Sequence, residues 1–225
     1  EMITGVDLVE WQLRIAAGET LPCRQDELSV NGHAMEARIY AEDPAKSFMP
    51  SPGQIRRLRL PKSDSHIRID TGIRENDMVS RFYDPMIGKI IAWGDTRAEA
   101  LARLQKALRQ TQIAGLRHNI GFLARLCDQS DFRNGDVDTH LIDRHLRALS
   151  EPPEQDRQIA LLLAALYVLR IEQRRQDKEA AGSKDTASPW RLKKGWRLFG
   201  QAQEVVEFRM ADGEPFSVRI IYTQD

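Results

Sequence analysis

Ser150-Glu151-Pro152-Pro153 constrains this chain more than any other stretch. Two adjacent prolines disfavour helix in the residue before them and stiffen the backbone there into an extended link. The patterns on its two sides differ, so residues 150–153 read as a linker between one unit over 1–149 and another over 154–225. A length of 225 residues is enough for two ordinary domains. Upstream, short alternating stretches intermix with amphipathic helical ones. Downstream, a single long helical stretch precedes alternating strands. The fold class expected is α+β.

Composition narrows the functions open to such a chain. Lys plus Arg and Asp plus Glu both number 33, so the net charge is zero. No global basic field argues for nucleic acid, and no acidic tail argues for a disordered solvating segment. Cys23 and Cys127 lie about a hundred residues apart without a Cys-x-x-Cys motif, which argues against a disulfide framework or zinc knuckle and for a reducing compartment. No signal peptide is seen. The longest apolar run, residues 159–169, is about half a membrane span and reads as a buried helix. The chain begins Glu-Met-Ile-Thr, without an initiator methionine, and is expected to be a fragment or a processed product.

In the first unit the clearest local signal runs from Asn31-Gly32 to Asp43-Pro44. It opens on a turn dipeptide, alternates as a strand, and ends at a proline that cannot continue a ladder. Period two places Ala34, Glu36, Arg38 and Tyr40 on one face, with Met35, Ala37, Ile39 and Ala41 on the other. The second set suits a core. The first carries an acid and a guanidinium about 7 Å apart along the strand. By pattern alone this is a solvated face with a surface ion pair of little energetic weight.

Around that strand, Thr4 to Asp7 resembles a capping box. It is expected to start a helix with Leu8, Trp11 or Gln12, and Ile15 on one stripe, stopped at Gly18. Strands are expected over 54–60 and 66–70, and a nearly all-apolar strand buried on both faces, or nearly so, over 86–93. Thr96 to Glu99 reads as a second capping box before a helix with Ala98, Leu101, Leu104 or Gln105, and Leu108 inward. Another helix starts after Asn119, and a last one spans about 138–149 after the Asn134-Gly135 turn. The second unit reads as a helix over 154 to about 181, a loop over 182–189, and strands near 190–199, 203–210 and 216–222. Val206, Phe208 and Met210 should share a buried face with Phe216, Val218, Ile220 and Tyr222, across an Asp212-Gly213 turn. Three strands on one helix make a thin core, so this unit is expected to be cut short at Asp225.

Familiar catalytic patterns are missing. There is no phosphate loop, no dinucleotide fingerprint and no Gly-x-Ser-x-Gly, and neither cysteine has a neighbouring base in sequence. His140 and His145, five apart, suit a surface or capping role better than a metal, and no metal ligands are expected. Arg174-Arg175 reads as a solvated helix end.

The wording of the chain says more. Glu1-Met-Ile-Thr-Gly-Val-Asp-Leu8, Gln12-Leu-Arg-Ile-Ala-Ala-Gly18, Gly32-His-Ala-Met-Glu-Ala-Arg-Ile39 with Ala41-Glu-Asp-Pro44, Pro50-Ser-Pro-Gly53 and Tyr83-Asp-Pro-Met-Ile-Gly-Lys89 occur in this order. Together they resemble the C-terminal part of biotin carboxylase over residues 1 to about 146. Arg68-Ile-Asp-Thr-Gly72 and the proline after Asp84 resemble the acyl-CoA carboxylase α subunits. The proline link, the long helix and Gly195-Trp-Arg-Leu198 resemble the joining domain of those subunits, with methylcrotonyl-CoA carboxylase the best fit and geranyl-CoA and propionyl-CoA carboxylases the alternatives.

The resemblance implies the end of an ATP-grasp fold, followed by a long helix and a partial antiparallel β-barrel. It implies ATP, Mg²⁺ and bicarbonate used to carboxylate biotin. The carboxyl group then passes to 3-methylcrotonyl-CoA, as in leucine degradation, on a carboxyltransferase β subunit. Further implied partners are a biotinyl domain and a second copy in a homodimer or larger assembly, with neither nucleic acid nor membrane. The location would be a bacterial cytoplasm or a mitochondrial matrix.

Residue by residue, Arg38 matches the arginine that lies against the biotin ureido oxygen, a catalytic and biotin-binding position. A permanently charged, fork-shaped guanidinium suits the anion that forms there. Glu36 would support it. Arg68 and Asp84 match positions near the homodimer contact, although an ordinary ion pair at the core edge reads as well. Thr139 falls at the edge of the ATP adenine pocket, where its residue type departs from the family's. The family's ATP, metal and bicarbonate residues would precede Glu1, and its biotinylation motif is not found up to Asp225. The chain alone is therefore expected to be inactive, with Arg38 exposed. From another class, the chain could be a non-catalytic module that docks the carboxyltransferase through residues 154–225.

Overall fold

The structure is a computed structural model that describes residues 1–151, 153–181, 203–209 and 215–222. Residues 1–151 form one compact unit, and the chain from residue 152 onward a second.

The first unit opens with α1 (Leu8–Ala16) and a short 3-10 turn (Gln25–Glu27). It continues through β1 (His33–Tyr40), β2 (Glu42–Asp43), β3 (Met49–Pro50), β4 (Gly53–Gln54) and β5 (Arg57–Arg59). β6 (Ile67–Asp70), β7 (Met78–Val79) and β8 (Met86–Gly94) come next. The remainder is α2 (Arg97–Gln110), β9 (Gln112–Ala114), α3 (Ile120–Asp128), α4 (Ser130–Asn134) and α5 (Leu141–Ser150). The central sheet is antiparallel in the order β1-β8-β6, and β2-β3, β4-β7 and β5-β9 form small two-stranded pairs.

β1 divides its faces as period two requires. Ala37, Ile39 and Ala41 are buried, while Glu36 and Arg38 lie on the outer face. β8 has no exposed residue, but its two faces are unequally buried. Ile90 and Ala92 are buried on one side, whereas Lys89, Ile91 and Trp93 are only half-buried on the other. The buried side receives α2 through Leu101, Leu104 and Leu108. Thr96 Oγ1 accepts the Glu99 N–H at 3.2 Å and caps that helix. Ala100 takes the inward place expected of Ala98, which is exposed. At the entry to β1, Gly32 has φ +66°, and a Cβ there would fall 2.6 Å from the Trp93 ring and the Gly94 carbonyl. Only glycine fits.

Other boundaries move for local reasons. α1 starts at Leu8, and Asp7 rather than Thr4 caps it by accepting the Val9 and Glu10 N–H groups. The strand expected over 54–60 breaks because the Ile55 N–H turns to the Asp77 carbonyl and the Arg56 N–H to the Ala114 carbonyl. Asn134-Gly135 ends an additional short helix, α4. α5 begins at Leu141 because the Asp138 carboxylate accepts the His140 N–H, closing a turn before it.

The second unit contains α6 (Glu154–Ala181), β10 (Gln203–Arg209) and β11 (Pro215–Ile221). β10 and β11 pair antiparallel, with Val206 opposite Val218 and Phe208 opposite Phe216. Their half-buried residues alternate with exposed ones. The Arg157 guanidinium lies 4.6 Å from the Phe216 ring centre, a cation–π distance. The expectation that the apolar run of α6 is buried is corrected. Ala165 is buried, but Ile159, Leu162, Leu163, Leu166 and Tyr167 are exposed. Residues 159–169 are apolar throughout, and among the described residues β11 lies against α6. The expected loop at 182–189, the strand at 190–199, Met210 and the Asp212-Gly213 turn lie outside the described residues. Among the described residues, no helix is long and apolar enough to cross a membrane.

Candidate functional site

The outer face of the central sheet carries the charges. Strand register sets Arg38 opposite Lys89 and Lys89 opposite Asp70, with Glu36 and Arg68 flanking Ile91 in the next row. The Arg38 Nε donates to Glu36 Oε1 at 3.0 Å. Lys89 Nζ stands 3.9 Å from Glu36 Oε2 and 3.7 Å from Asp70 Oδ2. Arg68 Nε donates to Asp70 Oδ1 at 2.9 Å, and its Nη1 reaches the Glu1 carboxylate. The result is an alternating ladder from Arg38 through Glu36, Lys89, Asp70 and Arg68 to Glu1. Each exposed pair adds little stability. Its consequence is orientation and charge. The Glu36 hydrogen bond, and then Tyr40, hold the Arg38 guanidinium above its ordinary value. Asp70, and then Glu1, do the same for Arg68. The Arg38 side chain remains 62% exposed.

Behind Arg38 the backbone is held from an unexpected direction. Asn119 precedes α3 in the N-cap position but makes no capping bond there. Its Oδ1 accepts the Tyr40 N–H at 3.0 Å, and its Nδ2 donates to the Arg38 carbonyl and to Glu42 Oε1, each at 3.1 Å. Burial pushes the Glu42 carboxyl up, the Asn119 bond opposes this, and the nearby Asp84 charge adds to the rise.

Of the residues expected from sequence, Glu36, Arg38 and Arg68 share the sheet face. Asp84 lies in the loop before β8, where Oδ1 accepts the Met86 N–H at 3.0 Å, and it does not pair with Arg68. Thr139 is exposed in the turn before α5, with Oγ1 3.4 Å from His140 Nδ1. Two cavities of about 420 and 250 Å³ are lined by other residues, among them Lys62 and Arg103 in one and Cys127 in the other. Sequence reasoning missed Lys89 and Asn119. Lys89 stands in the Tyr83 to Lys89 motif, but only the register reveals that it faces Arg38. Asn119 stands in the sequence only as the residue before a helix. Among the described residues, no group of three or more His, Cys, Asp or Glu could hold a metal ion.

Residues 36–144 match the family profile of the biotin carboxylase C-terminal domain. Across 88% of its length the chain is 44% identical to the mitochondrial methylcrotonoyl-CoA carboxylase subunit alpha of Rattus norvegicus, of which it covers 28%. Over 65% of the chain it is 49% identical to the biotin carboxylase of Halalkalibacterium halodurans, covering 32% of that protein. The biotin carboxylase domain dimer of Hydrogenobacter thermophilus 2-oxoglutarate carboxylase, solved with MgADP, ADP and bicarbonate, matches with a TM-score of 0.65. That match is 37% identical, covering 68% of this chain and 34% of the solved one. The chain thus spans about three-tenths of the length of these two curated relatives.

Proposed function

We propose that this chain forms the biotin-facing wall of a biotin carboxylase site and works with an ATP-grasp portion that binds ATP, Mg²⁺ and bicarbonate. The observation that carries this reading is Arg38, exposed on the sheet face yet anchored by Glu36 within the segment that matches the biotin carboxylase C-terminal domain profile. Biotin supplies the ureido nitrogen that accepts the carboxyl group. Arg38 binds and orients the ureido carbonyl and stabilises the negative charge that grows on its oxygen. Glu36 fixes the orientation of the guanidinium through Nε. The residues present therefore fit a biotin ureido group. Among the described residues there is no cluster for Mg²⁺, and no step through ATP or the metal is assigned to them. Thr139 at an adenine-pocket edge, and Arg68 and Asp84 near a contact between two copies, belong to the same reading. The dimeric solved relative supports the self-association.

The acceptor proposed is 3-methylcrotonyl-CoA, supported by the similarity to the rat subunit across most of the chain. The test is Arg38→Ala in the assembled carboxylase. Biotin carboxylation should fall about 10²- to 10³-fold, with incomplete recovery in Arg38→Lys. An unchanged rate removes the catalytic assignment.

A second role rests on a separate observation, the exposed apolar stripe of α6. Residues 154–225 would be the joining domain, completed to a partial β-barrel and docking the carboxyltransferase subunit.

A further inference from the structure

We infer that Asn119 is a positioning residue for Arg38, an inference that rests on the catalytic reading of Arg38 given above. β1 is an outer strand of its sheet, so half of its peptide groups lack a strand partner. Pairing with β8 also slips between Ile39 and Tyr40, one residue beyond Arg38. At such a place an outer strand can shift or fray, taking its side chains with it. Asn119 occupies this gap. Its side chain bonds the Arg38 carbonyl and the Tyr40 N–H, and its own N–H donates to the Tyr40 carbonyl at 3.2 Å. Three peptide groups around Arg38 are thus held by one residue about 80 positions away. The third side-chain bond ties Glu42, two residues beyond Tyr40, to the same amide.

The choice of residue is informative. An asparagine before a helix ordinarily turns to the helix's first free N–H groups. This one is 5% exposed and leaves them, spending its donor and acceptor on β1. The amide suits the strand, which presents both a donor and an acceptor, because its C=O and NH₂ answer both at once and leave a second N–H for Glu42. An aspartate has the same shape but, when ionised, only accepts.

Asn119→Asp therefore separates positioning from bulk packing. At neutral and alkaline pH it keeps the Tyr40 bond, loses the donor to the Arg38 carbonyl and sets a second carboxylate against Glu42, with Asp84 also near. In the assembled carboxylase, biotin carboxylation should fall about tenfold or more at pH 8, with the loss concentrated in KM for biotin. It should recover in part as pH falls, because protonating the new carboxyl supplies one O–H donor where the amide supplied two, enough to serve the Arg38 carbonyl or Glu42 but not both. Built on Arg38→Ala, the same change should add no further loss, since its effect travels through the arginine.

A pH-independent loss, or an undiminished further loss on Arg38→Ala, overturns the inference. Full activity in Arg38→Ala alone would instead overturn the catalytic reading. Amide exchange in the unmodified chain gives a second measurement that no variant's misfolding can obscure. The Tyr40 N–H should exchange slowly despite its outer strand, and rapid exchange would sink the proposal.

Discussion

His118 sits beside Asn119 and is partly buried, with Nε2 3.2 Å from the Ile113 carbonyl and no partner for Nδ1 among the described residues. Burial, against the pull of nearby carbonyls, holds this imidazole below the ordinary histidine value. The unfolded chain then takes up the proton first, at about pH 6.5. Its stabilising contribution is complete above that pH and is lost as pH falls through the lower folded value. Urea midpoints should therefore drop from pH 7 towards pH 5, and His118→Gln should flatten the slope in that window. An unchanged slope would mean the ring is free to ionise in place. Glu42, raised by burial, acts in the opposite direction, losing stability as pH rises. At this scale Arg38 and Glu36 were legible as a charged pair on one strand face. Lys89 was not, because its nearness to Glu36 depends on two strands aligning.

Among the elements, the junction between β5 and β9 depends on one backbone conformation. Gly115 has φ +114°, and a Cβ there would fall 2.2 Å from the Gln54 carbonyl oxygen and 2.9 Å from the Arg56 nitrogen. Those are the residues where the chain changes partners from β7 to β9. Gly115→Ala should destabilise the first unit by about 3 kcal/mol or more, from combined strain and overlap. Chemical denaturation measures it, and a loss under about 0.5 kcal/mol, the scale of ordinary surface changes, would show that the junction relaxes freely. Helices α2 and α3 and strands β1, β6 and β8 were legible because period, caps and turn residues agree. α4 and the break at Ile55-Arg56 were not. Carbonyls distant in sequence decide the break, and α4 is too short to show a period.

For the whole molecule, the exposed stripe of α6 has the i, i+3, i+4, i+7, i+8 spacing of a buried helix face. Under the docking proposal, deleting residues 154–225 should abolish co-purification with the carboxyltransferase subunit. Residues 1–151, with a core of their own, should still unfold cooperatively. Retained co-purification would remove the docking role.

What the sequence determined by itself was local or cumulative. Period two chose which face of β1 is apolar, the proline link separated two patterns, and five ordered motifs pointed to the biotin carboxylases, whose C-terminal domain profile residues 36–144 match. Tertiary structure decided what surrounds Arg38. The row through Lys89 to Asp70 arises from strand register, and the Asn119 clasp from a helix start meeting an outer strand about 80 residues away. Neither can be read along the chain, because a hydrogen bond between distant residues leaves no period in the sequence of either partner. The strand that began as a solvated ion pair is therefore better described as one end of a charge ladder, held in place from behind by Asn119.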